Sequence, residues 1–200
     1  MKQPLGVILA GGQATRMGGG DKGLRCLGGQ TLLARVEARL APQVAALALN
    51  ANGDPARFDA LGLPVIADSV AGFAGPLAGV LAGLDWAAAQ GAETIVTAAA
   101  DTPFFPCDLV PQLLHASEGM THPLVLATTP DPERGRARHP TFGLWPVALR
   151  DDLRAALEGG LRKVVLWTDS HGGREALFPD EDAFFNVNTP DDLIRAEAML

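Results

Sequence analysis

Residues 5–22 have the sequence LGVILAGGQATRMGGGDK, and this stretch decides the expected fold. The apolar run at residues 5–10 stops abruptly at two glycines, as a buried parallel strand does where it enters a loop. The loop carries five glycines together with Arg16 and Lys22. Glycines allow backbone N–H groups to approach and point at phosphate oxygens, while the two cations add positive charge. The stretch therefore predicts a strand followed by a triphosphate-binding loop.

Two familiar phosphate-binding patterns do not fit this loop. Gly18, Gly20 and Gly23 have the spacing of a dinucleotide-binding motif, but they lie seven residues beyond the strand and enclose Lys22. A Walker A motif is absent because no Gly-Lys pair is followed by Ser or Thr. A flexible surface loop is the remaining alternative, and the buried strand directly before the glycines disfavours it.

The rest of the chain predicts alternating strands and helices. Further strands are expected at residues 45–49, 64–67, 94–100, 124–128, 141–145 and 183–187, and helices at residues 32–40, 76–90 and 148–157 and after residue 189. Thr189 is suited to cap the last helix and Pro190 to begin it. We therefore expect an α/β fold, in which a single Rossmann-like domain over residues 1–200 has a mostly parallel sheet flanked by helices.

Composition and charge exclude several classes of protein. Hydrophobic residues make up 48% of the chain and charged residues 20%, as is typical of a globular domain. The net charge of -7 and the pI near 5.0 disfavour binding to nucleic acid or to an anionic membrane. Cys26 and Cys107 lack the spacing of a disulfide framework or a zinc site. No apolar segment is long enough for a signal peptide or a membrane span, so we expect a cytoplasmic protein.

Three of the predicted strands end in a polar residue, namely Asn50, Asp68 and Asp101. In an open parallel sheet ligands bind beyond the carboxyl ends of the strands, so these side chains should meet the glycine-rich loop there. Magnesium prefers one or two protein carboxylates plus phosphate oxygens and waters, which makes Asp101 a candidate metal ligand. Asn50 and Asp68 are candidates for base or ribose recognition. For all three residues, a plain turn-forming role is the alternative.

Other polar residues allow two interpretations each. The four histidines lack metal-ligand spacing, and His139 before Pro140 is expected to be a turn residue rather than a catalyst. The basic segment at residues 134–138 is either a solvated loop or a site for a second, phosphorylated substrate. Asn186 and Asn188 either face the ligand crevice together or serve as caps and turns.

Several short motifs occur in an order that resembles a known family. They are Leu9-Ala-Gly-Gly, Arg16-Met-Gly-Gly, Asp21-Lys22, Asp68-Ser69, Gly75-Pro-Leu-Ala-Gly79, Asp101-Thr-Pro103, His139-Pro140 and Asn186-Val-Asn-Thr-Pro190. The first three are similar to the signature loop of nucleotidyltransferases that make sugar nucleotides and cofactors. The complete set resembles the molybdenum cofactor guanylyltransferases, over nearly the whole chain.

The resemblance implies an activity and its site. The expected reaction is transfer of GMP from GTP to the terminal phosphate of molybdopterin, with GTP bound by the N-terminal half and molybdopterin by the C-terminal half. The residues that it implies for GTP binding are Leu9, Ala10, Gly11, Gly12, Lys22, Asn50, Asp68 and Asp101. Asp101 would also hold Mg²⁺, and catalysis would rest on Arg16, Lys22 and Asp101, because joining two anions is largely an electrostatic problem. We expect a monomer, with possible partner proteins that deliver or accept the cofactor.

Two alternatives remain open at this point. One is a nucleotidyltransferase with another substrate, such as CTP with molybdopterin or a sugar 1-phosphate acceptor. The other is a non-catalytic nucleotide-binding module, which the joint presence of two cations and a metal-binding carboxylate disfavours.

Overall fold

The computed structural model describes residues 2–11, 21–70, 72 and 75–200 of the chain. The strands are β1 (Leu5–Leu9), β2 (Cys26–Leu27), β3 (Gln30–Thr31), β4 (Leu47–Asn50), β5 (Val65–Ile66), β6 (Thr94–Ala99), β7 (Val125–Asp131), β8 (Gly135–Pro146) and β9 (Arg174–Leu177). The α-helices are α1 (Leu32–Leu40), α2 (Pro76–Ala89), α3 (Leu109–Ala116), α4 (Arg150–Glu158), α5 (Val164–Ser170) and α6 (Pro190–Glu197). Short 3-10 helices lie at Lys22–Leu24, Ala41–Gln43, Pro55–Leu61 and Val147–Leu149.

Within the described residues, seven strands form one sheet in the order β5-β4-β1-β6-β8-β7-β9. Only β8 runs antiparallel to its neighbours, and the other pairs are parallel. The strands β1 and β6 in the middle are buried along their whole length, as expected when helices cover both faces of a parallel sheet. The predicted α/β fold with a mostly parallel sheet is therefore confirmed.

The core is divided by the sheet. On one face α1 and α3 pack with Leu33 and Leu113 in the same apolar cluster as Ile8 of β1. On the other face α2, α4 and α5 supply apolar side chains to a second cluster that contains Val7 and Trp167. Since consecutive residues of β1 enter opposite clusters, both faces of this strand are closed to solvent.

The helix ends follow the predicted signals. Thr31 accepts a hydrogen bond from the Ala34 N–H (3.1 Å) and caps α1. Thr189 and Asp192 form a reciprocal capping box at the start of α6, with Pro190 in its first turn. These caps satisfy N–H groups that have no partner within the helix.

Residues 183–187 and most of residues 134–138 do not form the structures predicted for them. Residues 183–187 form a turn and an extended segment outside the sheet, because Ala183 and Phe184 are buried among apolar side chains as a loop. In the basic segment at residues 134–138 only Arg134 lies in a turn, since β8 begins at Gly135 and pairs along β7. In the described residues, no helix is both long and apolar enough to cross a membrane.

Candidate active site

The carboxyl ends of four neighbouring strands meet at one edge of the sheet. The Ala10 N–H donates to the Asn50 carbonyl (2.9 Å), and the Ala100 N–H donates to the Leu9 carbonyl (3.0 Å). The Ala51 N–H donates likewise to the Ile66 carbonyl (3.0 Å). The strand ends named from the sequence therefore lie side by side. The Ala10 amide is thus engaged by the backbone at the end of β4.

Lys22 and Asp101 face each other at the end of β6. The Lys22 Nζ lies 3.8 Å from Asp101 Oδ2 and donates to Asn188 Oδ1 at 2.7 Å. The side chains of Lys22 and Asp101 are only 21% and 25% exposed. Burial raises the pKa of Asp101, and the neighbouring Lys22 ammonium partly opposes this rise. A cation and a carboxylate are thus held together at the position where a metal–phosphate group is expected.

Residues 186–188, at the end of the wrongly predicted strand, close this side of the site. The Val187 N–H donates to the Asp101 carbonyl (2.8 Å), which fixes the segment to the end of β6. Thr102 Oγ1 donates to Asn186 Oδ1 at 2.5 Å, beside the contact between Asn188 and Lys22. Both asparagine side chains therefore lie beside the Lys22–Asp101 pair, while Thr189 caps α6.

Asp68 is held by two amides at the opposite end of the site. Its Oδ1 accepts from Asn50 Nδ2 (3.0 Å), and its Oδ2 accepts from Asn52 Nδ2 (2.8 Å). The Asp68 N–H donates back to Asn52 Oδ1 (2.9 Å). A carboxylate oxygen can accept more than one hydrogen bond, so Asp68 retains acceptor capacity for a ligand. Asn50 is 2% exposed and also donates to the Ile66 carbonyl (3.2 Å), so its amide is fixed and holds the Asp68 carboxylate in place.

Gly79, in the first turn of α2, lies directly against the Asn50 side chain and leaves space for it. A Cβ atom at Gly79 would lie 2.3 Å from Asn50 Oδ1 and 2.9 Å from Leu9 Cδ2. Real side chains do not approach so closely, so a larger residue here would have to displace the Asn50 side chain. The Gly75-Pro-Leu-Ala-Gly79 motif thus contributes to the site through its last residue.

Sequence patterns give no signal for two residues that hold the site. Asn52 exchanges two hydrogen bonds with Asp68, one with its carboxylate and one with its backbone N–H. Arg57 forms a 2.6 Å ion pair with Asp21. Both act through partners that are distant in sequence, so spacing alone does not reveal them. Gly12 and Arg16, which were predicted from the glycine-rich loop, lie outside the described residues.

The donor set suits magnesium bound together with a nucleotide. Among the residues that the structure describes, no group of three or more His, Cys, Asp or Glu side chains is placed to hold a metal by itself. A single partly exposed carboxylate, that of Asp101, is what a Mg²⁺ ion needs when phosphate oxygens and waters complete its shell. The residues therefore fit a metal that arrives with the triphosphate.

His139 and the neighbouring arginines are structural. His139 lies in β8 rather than in a turn, where its ring stacks on Phe184 with centroids 4.3 Å apart and its Nε2 lies 3.0 Å from Thr129 Oγ1. Burial lowers its pKa to about 4, which keeps the ring neutral. The arginines at 136 and 138 form ion pairs with Glu175 and Asp169. Because Glu175 and Asp169 balance the charge of these two arginines, the structure favours a solvated surface over a site for a phosphorylated substrate.

Comparison with known families identifies the class of this domain. Residues 6–172 match the family model of the MobA-like NTP transferase domain. The fold and the site therefore define a nucleotidyltransferase.

Individual relatives narrow the class further. A molybdenum cofactor guanylyltransferase of Cereibacter sphaeroides is 53% identical over 195 residues, which cover 98% of this chain and 96% of the relative. One from Bradyrhizobium sp. is 51% identical over 199 residues, which cover 97% and 92% of the two chains. The chain belongs to the molybdenum cofactor guanylyltransferase family.

Solved structures share the fold at lower identity. The molybdopterin-guanine dinucleotide biosynthesis protein A of Archaeoglobus fulgidus superposes with a TM-score of 0.71 at 24% identity, covering 98% of this chain and 97% of its own. The 4-diphosphocytidyl-2C-methyl-D-erythritol synthase of Anaerococcus prevotii gives a TM-score of 0.77 at 15% identity, with coverage of 99% and 96%. At these identities the likeness concerns the fold alone.

Proposed function

We propose that this chain transfers GMP from GTP to the terminal phosphate of molybdopterin, forming the guanine dinucleotide cofactor and releasing pyrophosphate. The observation that carries the proposal is the arrangement of Lys22 and Asp101 at the end of β6 and of Asp68 just beyond β5, on the same edge of the sheet. Two strands lie between β5 and β6, so the two ends of the site are about 14 Å apart at the usual strand spacing. An extended nucleoside triphosphate spans a comparable distance.

In this proposal the base lies against Asp68. Guanine presents two adjacent donors, N1–H and N2–H, and a carboxylate offers two acceptor oxygens in matching positions. The amides of Asn50 and Asn52 hold this carboxylate from the other side. Cytosine lacks the paired donors, which supports GTP over CTP as the substrate. Leu9, Ala10, Gly11 and Gly12 would line the nucleotide at the end of β1.

The triphosphate lies towards Lys22 and Asp101. A phosphate oxygen of molybdopterin attacks the α-phosphorus, a new P–O bond forms, and the electron pair of the α–β bond leaves with pyrophosphate. The nucleophile is already ionised, so no general base is required. Lys22, held by Asn188, supplies positive charge beside the reacting phosphates, and Arg16 is proposed to do the same. Asp101 would hold Mg²⁺, and a bound ion neutralises negative charge on the triphosphate.

The acceptor is proposed to approach from the C-terminal half. Asn186 and Asn188 belong to this half, and their side chains reach Thr102 and Lys22 at the phosphate end of the nucleotide site. A molybdopterin phosphate that arrives from this side would meet the α-phosphorus next to Lys22. We also propose a cytoplasmic monomer that exchanges the cofactor with protein partners.

Pyrophosphate release tests the proposal. The protein is incubated with Mg²⁺ and with GTP, CTP, ATP or UTP, each in the presence and in the absence of molybdopterin or its molybdate-loaded form. We expect release from GTP that depends on molybdopterin. Preference for CTP would assign a cytidylyl transfer instead, and no release from any triphosphate would favour a binding module or another acceptor.

A further inference from the structure

Arg57 connects the two ends of the nucleotide site. It lies in the 3-10 helix Pro55–Leu61 that follows β4. Its Nε donates to Asp21 Oδ2 at 2.6 Å, its Nη2 to the Asn52 carbonyl at 2.5 Å and its Nη1 to the Asp54 carbonyl at 2.6 Å. One planar guanidinium therefore binds three acceptors, two of them in the turn after β4 and one next to Lys22.

Each of these contacts leads to a residue of the proposed site. Asp21 directly precedes Lys22, which lies 3.8 Å from Asp101 at the phosphate end. Asn52 exchanges two hydrogen bonds with Asp68 at the base end. Asp68 and Lys22 are 46 positions apart in the chain. The Arg57 side chain connects them, because it binds both Asp21, which precedes Lys22, and the carbonyl of Asn52, which binds Asp68.

The charge of Asp21 gives Arg57 a second role. The Asp21 carboxylate is only 23% exposed and adjoins the lysine that is proposed to meet a triphosphate. An unpaired carboxylate in that position would repel the nucleotide, and partial burial weakens the screening of that repulsion by water. The ion pair with Arg57 neutralises it and leaves the Lys22 charge available to the phosphates.

The surroundings of Arg57 hold its guanidinium in one orientation. The guanidinium carbon lies 4.6 Å from the ring centroid of Phe58, which is 2% exposed and therefore fixed. Gly53 has a φ of +86°, and a Cβ atom there would come within 3.1 Å of Arg57 Nη1. The turn thus adopts a conformation that favours glycine at the point where the guanidinium passes close to the backbone.

We infer that Arg57 is a positioning residue for GTP: it neutralises Asp21 beside the phosphates and links Asp21, which directly precedes Lys22, to the turn whose Asn52 binds Asp68. The inference rests on the proposed use of GTP. Arg57 touches none of the reacting groups, so it acts on nucleotide binding rather than on the chemical step. Its loss should therefore raise the KM for GTP and leave kcat and the KM for molybdopterin nearly unchanged.

A double-mutant cycle with Asp21 separates this role from a merely structural one. Arg57→Ala should raise the KM for GTP about tenfold, the usual cost of losing a charged hydrogen-bond partner. Asp21→Asn should change it little. In the double variant the repelling carboxylate is gone, so the KM should fall roughly threefold or more from that of Arg57→Ala. If Arg57 only stabilised the fold, the double variant would bind GTP no better than Arg57→Ala.

The control is Arg174→Ala, which removes a guanidinium that also donates to two backbone carbonyls, those of Ala116 (3.2 Å) and Glu118 (2.8 Å), away from the site. It should leave the KM for GTP unchanged. Arg57→Gln, which retains side-chain donors without the charge, replaces the alanine variant if that variant does not fold. A wild-type KM for GTP in the Arg57 variants overturns the inference and leaves the proposed function standing. Absence of GTP turnover by the wild-type protein overturns the proposed function, and the inference with it.

Discussion

Replacing Gly79 with alanine should damage the base end of the nucleotide site. The new Cβ atom would start 2.3 Å from Asn50 Oδ1, whereas ordinary contact begins at 3.4 Å, so the two must separate by about 1 Å. Asn50 is nearly fully buried, and its amide is held by the Ile66 carbonyl and by Asp68. A shift of this size takes those hydrogen bonds, at 3.2 and 3.0 Å, beyond their useful range.

The expected magnitudes differ for stability and for nucleotide binding. Overpacking of a core costs about 1–3 kcal/mol, and replacing glycine by alanine inside a helix returns about 1 kcal/mol. Loss of the Asn50 hydrogen bonds adds about 1–3 kcal/mol, because the amide is nearly fully buried. The free energy of unfolding should therefore fall by about 1–5 kcal/mol, which lowers Tm by up to about 20 °C in a chain of this size. Loss of the amide that orients a carboxylate is worth about 1.5–3 kcal/mol, so the KM for GTP should rise roughly 10- to 100-fold.

Gly83, one turn further along α2, provides a matched control. A Cβ atom there would meet Ile95 Cδ1 at 2.8 Å and Val7 Cγ2 at 2.9 Å, both in the apolar core. Gly83→Ala should therefore lower Tm by up to about 8 °C and leave the KM for GTP close to the wild-type value. Thermal unfolding and steady-state pyrophosphate release on both variants provide the comparison. If Gly79→Ala retained the wild-type KM, or if both variants lost GTP binding equally, Asn50 would not orient Asp68 for the base.

Two further predictions concern the phosphate end and the C-terminal half. Lys22→Ala and Asp101→Ala should each reduce pyrophosphate release more than about a hundredfold, because each removes a charge that helps to lower the electrostatic barrier. The rates are measured with saturating GTP and molybdopterin. Near-normal turnover by either variant would contradict the assignment of that residue to catalysis. His139, whose pKa is lowered to about 4, resists protonation in the folded state. Its contribution to stability is therefore present above pH 6.5 and is lost as the pH falls from 6.5 towards 4. Because the ring is only partly buried, we expect this pH change to lower the free energy of unfolding by about 1–2 kcal/mol. Urea unfolding at pH 7.5 and pH 4.5 should show a smaller loss of stability for His139→Gln than for the wild-type chain, and equal losses would contradict this.

Local patterns in the sequence determined much of the fold. The apolar run of β1, the capped start of α1 and the Pro190 start of α6 all depend on neighbouring residues, and the structure confirms them. The order of strands and helices also predicted the parallel sheet, and with it the meeting of Asn50, Asp68 and Asp101 at one edge. These features follow from short-range periodicity and capping, which a single chain displays directly.

Tertiary packing decided what holds those residues in place. Lys22 contacts Asn188 across 166 positions, and Arg57 contacts Asp21 although no motif links the two. The apolar residues at 183–187 predicted a strand, yet they pack as a loop, because burial satisfies apolar side chains equally well in either conformation. Short-range patterns determine which elements form, whereas the partner of a charged or amide side chain depends on which distant segments the folded sheet brings within a few ångströms.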